Sequence, residues 1–178
     1  MSRKSTQIAL GGLFSALCLV LMFMTGLIPF SMYVIPALAG AMLIPVIVEI
    51  GPKTAVLVYV TVSLLSVFIA PDREASMIFI VFFGYYPIIK PKLESLRLKI
   101  LQIACKYTLF NASVILGYLA VAYLFGMPGI LDDMGDLGRY GALILLVVAN
   151  FTFILYDFLL TRYTFLYIRW FKPTFLKR

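Results

Sequence analysis

Six long apolar stretches, at 6–28, 33–50, 54–70, 75–90, 100–125 and 140–166, alternate along the chain with short segments that carry most of its charge. About 20 apolar residues at 1.5 Å each cross a hydrocarbon core, so each stretch reads as a membrane-spanning helix. The first begins behind Arg3 and Lys4 and meets no further charge until Glu49. The pattern predicts an all-α, polytopic membrane protein: one domain of residues 1–178 folded as a six-transmembrane-helix bundle.

The charges orient that bundle. Placing the N-terminus in the cytoplasm puts Arg3, Lys4, Lys53, Lys90, Lys92, Arg97, Lys99, Arg169, Lys172, Lys177 and Arg178 on the inner side. Arg73 and Arg139 fall outside, and Lys106 and Arg162 stand near inner helix ends. Basic residues concentrate in cytoplasmic loops, so both termini are expected inside (N-in/C-in), in a bacterial cytoplasmic membrane. The first apolar run exceeds the h-region of a signal peptide and is expected to stay as a helix.

Composition narrows the function classes. With 178 residues, 63% of them hydrophobic and 13% charged, and a mean hydropathy of +1.04, the chain does not read as a soluble domain. Six spans leave no room for a soluble catalytic or nucleotide-binding domain, so any energy source is expected from a partner. The net charge of +7 is assigned to inner loops facing anionic lipid, with no role in nucleic-acid binding. There is no His and there are two Cys, which gives no metal cluster and no cofactor site. Cys18 and Cys105 differ by about 9 Å in expected depth and are read as packing residues.

The loops offer further candidates. Gly26–Tyr33, uncharged and carrying Pro29, is either a lid or a tight connector. Asp72 is placed to cap the next helix, with Glu74 in its first turn, while Arg73 could meet an anionic solute. Phe82-Phe83-Gly84-Tyr85-Tyr86-Pro87 reads as an interfacial aromatic belt. Lys90–Lys99 is the most basic loop, and its leucines would let it lie along the inner surface against anionic lipid or a partner. Gly126–Tyr140, with Asp132, Asp133 and Asp136, is either a gate or a solvated linker.

Polar groups at depth carry the sharpest clues, because they are costly in lipid. Asn111 and Asn150 each fall about 15 Å into antiparallel neighbouring spans, near the midplane. They either bond each other or floor a cavity open to the outside. Asp157, seven residues after Asn150 and on its face, needs a cation; Lys106 lies at the right depth and Arg162 is the alternative. Lys106 and Asn111, about 140° apart around their helix, do not both point straight at one stripe. The chain holds no nucleophile elbow, no Cys–His arrangement and no His-Glu-x-x-His, so an enzyme is not expected.

The first helix carries small residues at Ser5, Ala9, Gly12 and Ala16 on one face, where a second helix could approach closely. With Ala9, Gly12 and Ala16 matching the family's small-residue docking face, although Leu13 stands where a second small residue follows Ala9, the chain resembles the S component of an energy-coupling-factor transporter. The resemblance covers the whole architecture. It implies capture of a vitamin or similar micronutrient from outside, with Asp72, Arg73, Asn111, Tyr118 and Asn150 as cavity candidates. It also implies docking on a transmembrane T component driven by two ABC-type ATPases. In size and topology the chain is similar as well to the MreD cell-shape family, which implies a scaffold with no transported substrate. A third reading, a small membrane enzyme, would need Asp157 and Lys106 to face an accessible pocket.

Overall fold

The computed structural model describes residues 3–27, 31–125 and 138–171, and among them every regular element is helical. Helix α1 (Arg3–Met24) is followed by α2 (Val34–Ala41), α3 (Leu43–Glu49) and α4 (Pro52–Ile69). Then come α5 (Arg73–Ile78), a π-helical turn (Phe79–Phe83), α6 (Tyr86–Glu94), α7 (Lys99–Phe125), α8 (Gly138–Leu166) and a final π turn (Tyr167–Phe171). Four helices among the described residues are long and apolar enough to cross a membrane: those holding Gln7–Met24, Pro52–Ile69, Lys99–Gly117 and Leu146–Trp170. The other two apolar stretches are helical but interrupted.

Proline chemistry explains the interruptions. Pro45 has no N–H to give the carbonyl of Ala41, and the helix breaks there into α2 and α3 around Met42. Pro87 likewise leaves the Phe83 carbonyl without its helical donor, and the Tyr156 hydroxyl on α8 donates to it at 3.4 Å. Inside the π turn, Tyr59 from α4 donates to the Ile80 carbonyl at 2.8 Å. Two tyrosines from flanking helices thus bond to carbonyls of the π turn.

At the start of this segment Asp72 caps α5, its Oδ1 accepting from the backbone N–H of Glu74 at 3.0 Å and of Ala75 at 3.2 Å. Glu74 occupies the first turn, where the helix dipole favours a carboxylate. At the turn between α3 and α4, Gly51 takes φ +117, a value that suits glycine, and Pro52 opens α4.

The core forms where the π turn meets α2, α7 and α8. Phe79, Phe82, Phe83 and Tyr86 are buried there with Phe110, Phe153 and Tyr156. The rings of Phe110 and Phe153 stack at 4.6 Å, and Phe82 packs edge-on to both. This corrects the interfacial-belt reading of Phe82, Phe83 and Tyr86, whose rings pack inside the protein against α7 and α8. Gly40 permits the approach of α2, since a Cβ there would lie 2.2 Å from the Phe83 carbonyl oxygen. On the other flank α1 turns Gly11, Cys18 and Met22 toward α4 and α2, with the Cys18 thiol donating to the Ala39 carbonyl at 3.4 Å.

Candidate functional site

Two polar layers tie α7 to α8. In the first, Asn111 and Asn150 exchange side-chain hydrogen bonds, Nδ2 to Oδ1 at 3.2 Å in both directions. Each amide spends its second N–H on the carbonyl four residues earlier, Tyr107 at 2.9 Å and Leu146 at 2.8 Å. A pair of primary amides satisfies itself in this way without water, which suits a low-dielectric setting.

The second layer is a four-charge cluster joining α6, α7 and α8. Asp157 accepts from Lys106 at 2.8 Å through Oδ2 and from the Tyr86 hydroxyl at 2.6 Å through Oδ1. Lys90, which is buried, reaches the same Oδ1 and donates to the Asp157 carbonyl at 2.8 Å. Both lysines share the Glu94 carboxylate, Lys90 at 3.1 Å and Lys106 at 2.8 Å. Two cations balance two anions, and each ammonium has several acceptors, which offsets much of the cost of taking it out of water. Burial alone would push the Glu94 carboxyl up. The hydrogen bonds and charge of Lys106 and Lys90 outweigh it and hold that carboxyl below its ordinary value.

Of the residues singled out from the sequence, the structure brings together Asn111 with Asn150 and Lys106 with Asp157. The angular offset between Lys106 and Asn111 is bridged by the length of the lysine stem. Arg162, the alternative cation, instead lies over the ring of Phe158 at 5.1 Å. Asp72 is engaged in capping, and Arg73 beside it is exposed at the far end of the α5–α6 segment. The side chain of Tyr118, residues 28–30 of the Gly26–Tyr33 loop and the acidic residues Asp132, Asp133 and Asp136 lie outside the described residues. The substrate candidates are therefore not gathered around one described cavity. A cavity of about 320 Å³ lies instead on the other side of the charge cluster, lined by Lys90, Glu94, Leu160, Thr161 and Phe165 among others.

Lys90, Glu94 and Tyr86 were missed in reading the sequence. The apolar pattern ends its fourth stretch at Lys90 and gives Lys90–Lys99 to a loop, whereas α6 runs on to Glu94. The signal was present: Tyr86, Lys90 and Glu94 are spaced four apart, so a helix continued through Glu94 aligns all three on one face. Among the described residues no three His, Cys, Asp or Glu side chains converge as metal ligands.

The docking candidates Ala9, Gly12 and Ala16 all lie on the exposed side of α1, opposite the Gly11, Cys18 and Met22 face that packs inward. A Cβ on Gly12 would meet nothing within 4 Å. Leu13, beside them, is exposed as well.

No family model matches the chain, and neither the curated proteins nor the solved structures contain a significant match to it.

Proposed function

We propose that this chain is a multi-pass membrane subunit that captures a vitamin or similar small nutrient outside the cell and delivers it by docking on partner subunits. The proposed partners are those of an energy-coupling-factor transporter: a transmembrane T component and two ABC-type ATPases. Six spans with both termini in the cytoplasm belong to the same reading. The observation that carries it is the free face of α1, where Ala9, Gly12 and Ala16 stand exposed and unpacked while the opposite face is buried. Small residues let another helix's backbone come close, so such a face suits a helical partner in lipid.

A second reading, a scaffold that works through partner helices and carries no substrate, is favoured by the Asn111–Asn150 pair. Two amides that satisfy each other have less need of a ligand. One experiment separates the two. Mass spectrometry of the protein in native membrane extracts is expected to find a bound water-soluble nutrient, lost on washing with detergent-solubilised competitor. Failure to recover any small molecule, with no T component co-purifying, would favour the scaffold. In parallel, Gly12→Trp is expected to abolish T-component association while nutrient binding persists; association that survives the substitution would reject the docking role of this face, and loss of both would mark a folding defect.

A further inference from the structure

The end of α6, the link that follows it and the start of α7, residues 90–99, form the most basic part of the described chain, and their charges are unevenly compensated. Glu94 already accepts from Lys90 and Lys106. Lys92, Arg97 and Lys99 are exposed and form no ion pair among the described residues. Three uncompensated cations therefore crowd into eight residues at one end of the bundle.

Apolar side chains stand directly beside Arg97 and Lys99. Leu98 is 67% exposed and Ile100 is 84% exposed. With Lys99, Leu101 and Ala104 they line a shallow concavity of about 470 Å³ where α7 begins. Cations bordering apolar surface at a membrane boundary match an amphiphile whose head is anionic and whose chains lie along the helix. Water-soluble anions would use the first half of this arrangement and leave the second half idle.

The link is also held in shape. The Gln102 side chain donates from Nε2 to the carbonyls of Glu94 at 3.0 Å and Leu96 at 2.7 Å, and the Ser95 hydroxyl donates to the Lys92 carbonyl at 2.7 Å. A segment already ordered loses little further entropy when a ligand settles on it. We propose that Lys92, Arg97 and Lys99, with Leu98, Ile100 and Leu101, form a binding ledge for the headgroup and first chain carbons of an anionic phospholipid. The proposal needs the chain to lie in a membrane, and it holds under either the transporter or the scaffold reading.

The test uses the purified full-length chain in a neutral detergent, titrated with phosphatidylglycerol and separately with phosphatidylcholine of identical chains, bound lipid being counted by native mass spectrometry. Wild type is expected to prefer phosphatidylglycerol, and the preference is expected to weaken with added salt. The K92Q/R97Q/K99Q variant should lose roughly fivefold for each cation removed. All three side chains are exposed; should the triple variant nonetheless unfold, R97Q alone should show the single fivefold step. Equal retention of the two lipids by wild type overturns the proposal. So does a preference that survives in a folded K92Q/R97Q/K99Q protein, which would put the site elsewhere. Displacement of phosphatidylglycerol by equimolar glycerol phosphate also overturns it, since the apolar ledge would then contribute nothing.

Discussion

Asn111 and Asn150 hold each other by two antiparallel hydrogen bonds of 3.2 Å, so that neither amide is complete without the other. Removing one partner leaves a polar group with no replacement, whereas removing both removes the need. Asn111→Leu and Asn150→Leu are each expected to cost about 1–2 kcal/mol, and the double variant less than their sum. The coupling should be on the order of 0.6–1.7 kcal/mol, the range of side-chain hydrogen bonds between membrane helices. A double-mutant cycle in mixed-micelle unfolding measures it; strict additivity would show the two amides to be independent.

The charge cluster predicts a stronger asymmetry. Lys90→Met leaves Asp157 with Lys106 and Tyr86 but takes away a buried cation, and it is expected to destabilise by about 3 kcal/mol. Asp157→Leu alone strands Lys90 against Glu94 and should be at least as damaging. The charge-balanced Lys90→Met/Asp157→Leu protein should recover part of either loss, because no uncompensated charge remains buried. Unfolding midpoints of the three variants decide this, and a double variant worse than both singles would refute the pairing.

Acid should act on the exposed corner of the same cluster. Glu94 is held below its ordinary value of 4.5 by Lys106 and Lys90, against the opposing effect of burial. A carboxylate depressed in the folded state contributes stability above the unfolded value and loses it as pH falls through the folded one. Unfolding midpoints are therefore expected to fall as pH drops below about 4.5, with Glu94→Gln showing a flatter profile. The 39% exposure of this side chain screens the interaction, so the difference is expected to be small. An identical acid limb in wild type and Glu94→Gln would place the sensitivity elsewhere.

How far the sequence carried these conclusions depended on the length of helix each residue sat in. Asn111, Asn150, Lys106 and Asp157 lie in α7 and α8, long uninterrupted helices whose rise per residue turns sequence position into depth, so their pairing was readable as one of the open alternatives. Tyr86, Lys90 and Glu94 lie beyond a π turn and a proline, where counting at 3.6 residues per turn loses its phase. For the same reason the interfacial-belt reading fails for the rings of Phe82, Phe83 and Tyr86, which lie in the core. That Ala9, Gly12 and Ala16 share one face of α1 followed from spacing, but that this face is exposed, and that Gly11 and not Gly12 turns inward, needed α4, whose Thr54 and Val58 side chains a Cβ on Gly11 would meet at 3.6 and 3.8 Å.

Those two glycine environments, and that of Gly40, give a graded test of the packing. At Gly40 a methyl group would stand 2.2 Å from the Phe83 carbonyl oxygen and 2.9 Å from the Tyr156 hydroxyl, so the backbone of α2 or of the π turn must retreat. That displacement pulls on the Tyr156 bond to the same carbonyl and loosens the Phe82 and Phe83 rings behind it. Gly40→Ala is expected to cost about 2–3 kcal/mol, at the upper end for overpacking. At Gly11 the added methyl meets side chains at ordinary contact distance, and the helix gains by losing a glycine; Gly11→Ala should be neutral or stabilising by up to about 1 kcal/mol. At Gly12 nothing is met, so Gly12→Ala should likewise leave the isolated chain intact. If Gly40→Ala unfolds at the same denaturant concentration as Gly11→Ala, α2 does not touch the π turn as described, and the core around Phe82 must be drawn differently.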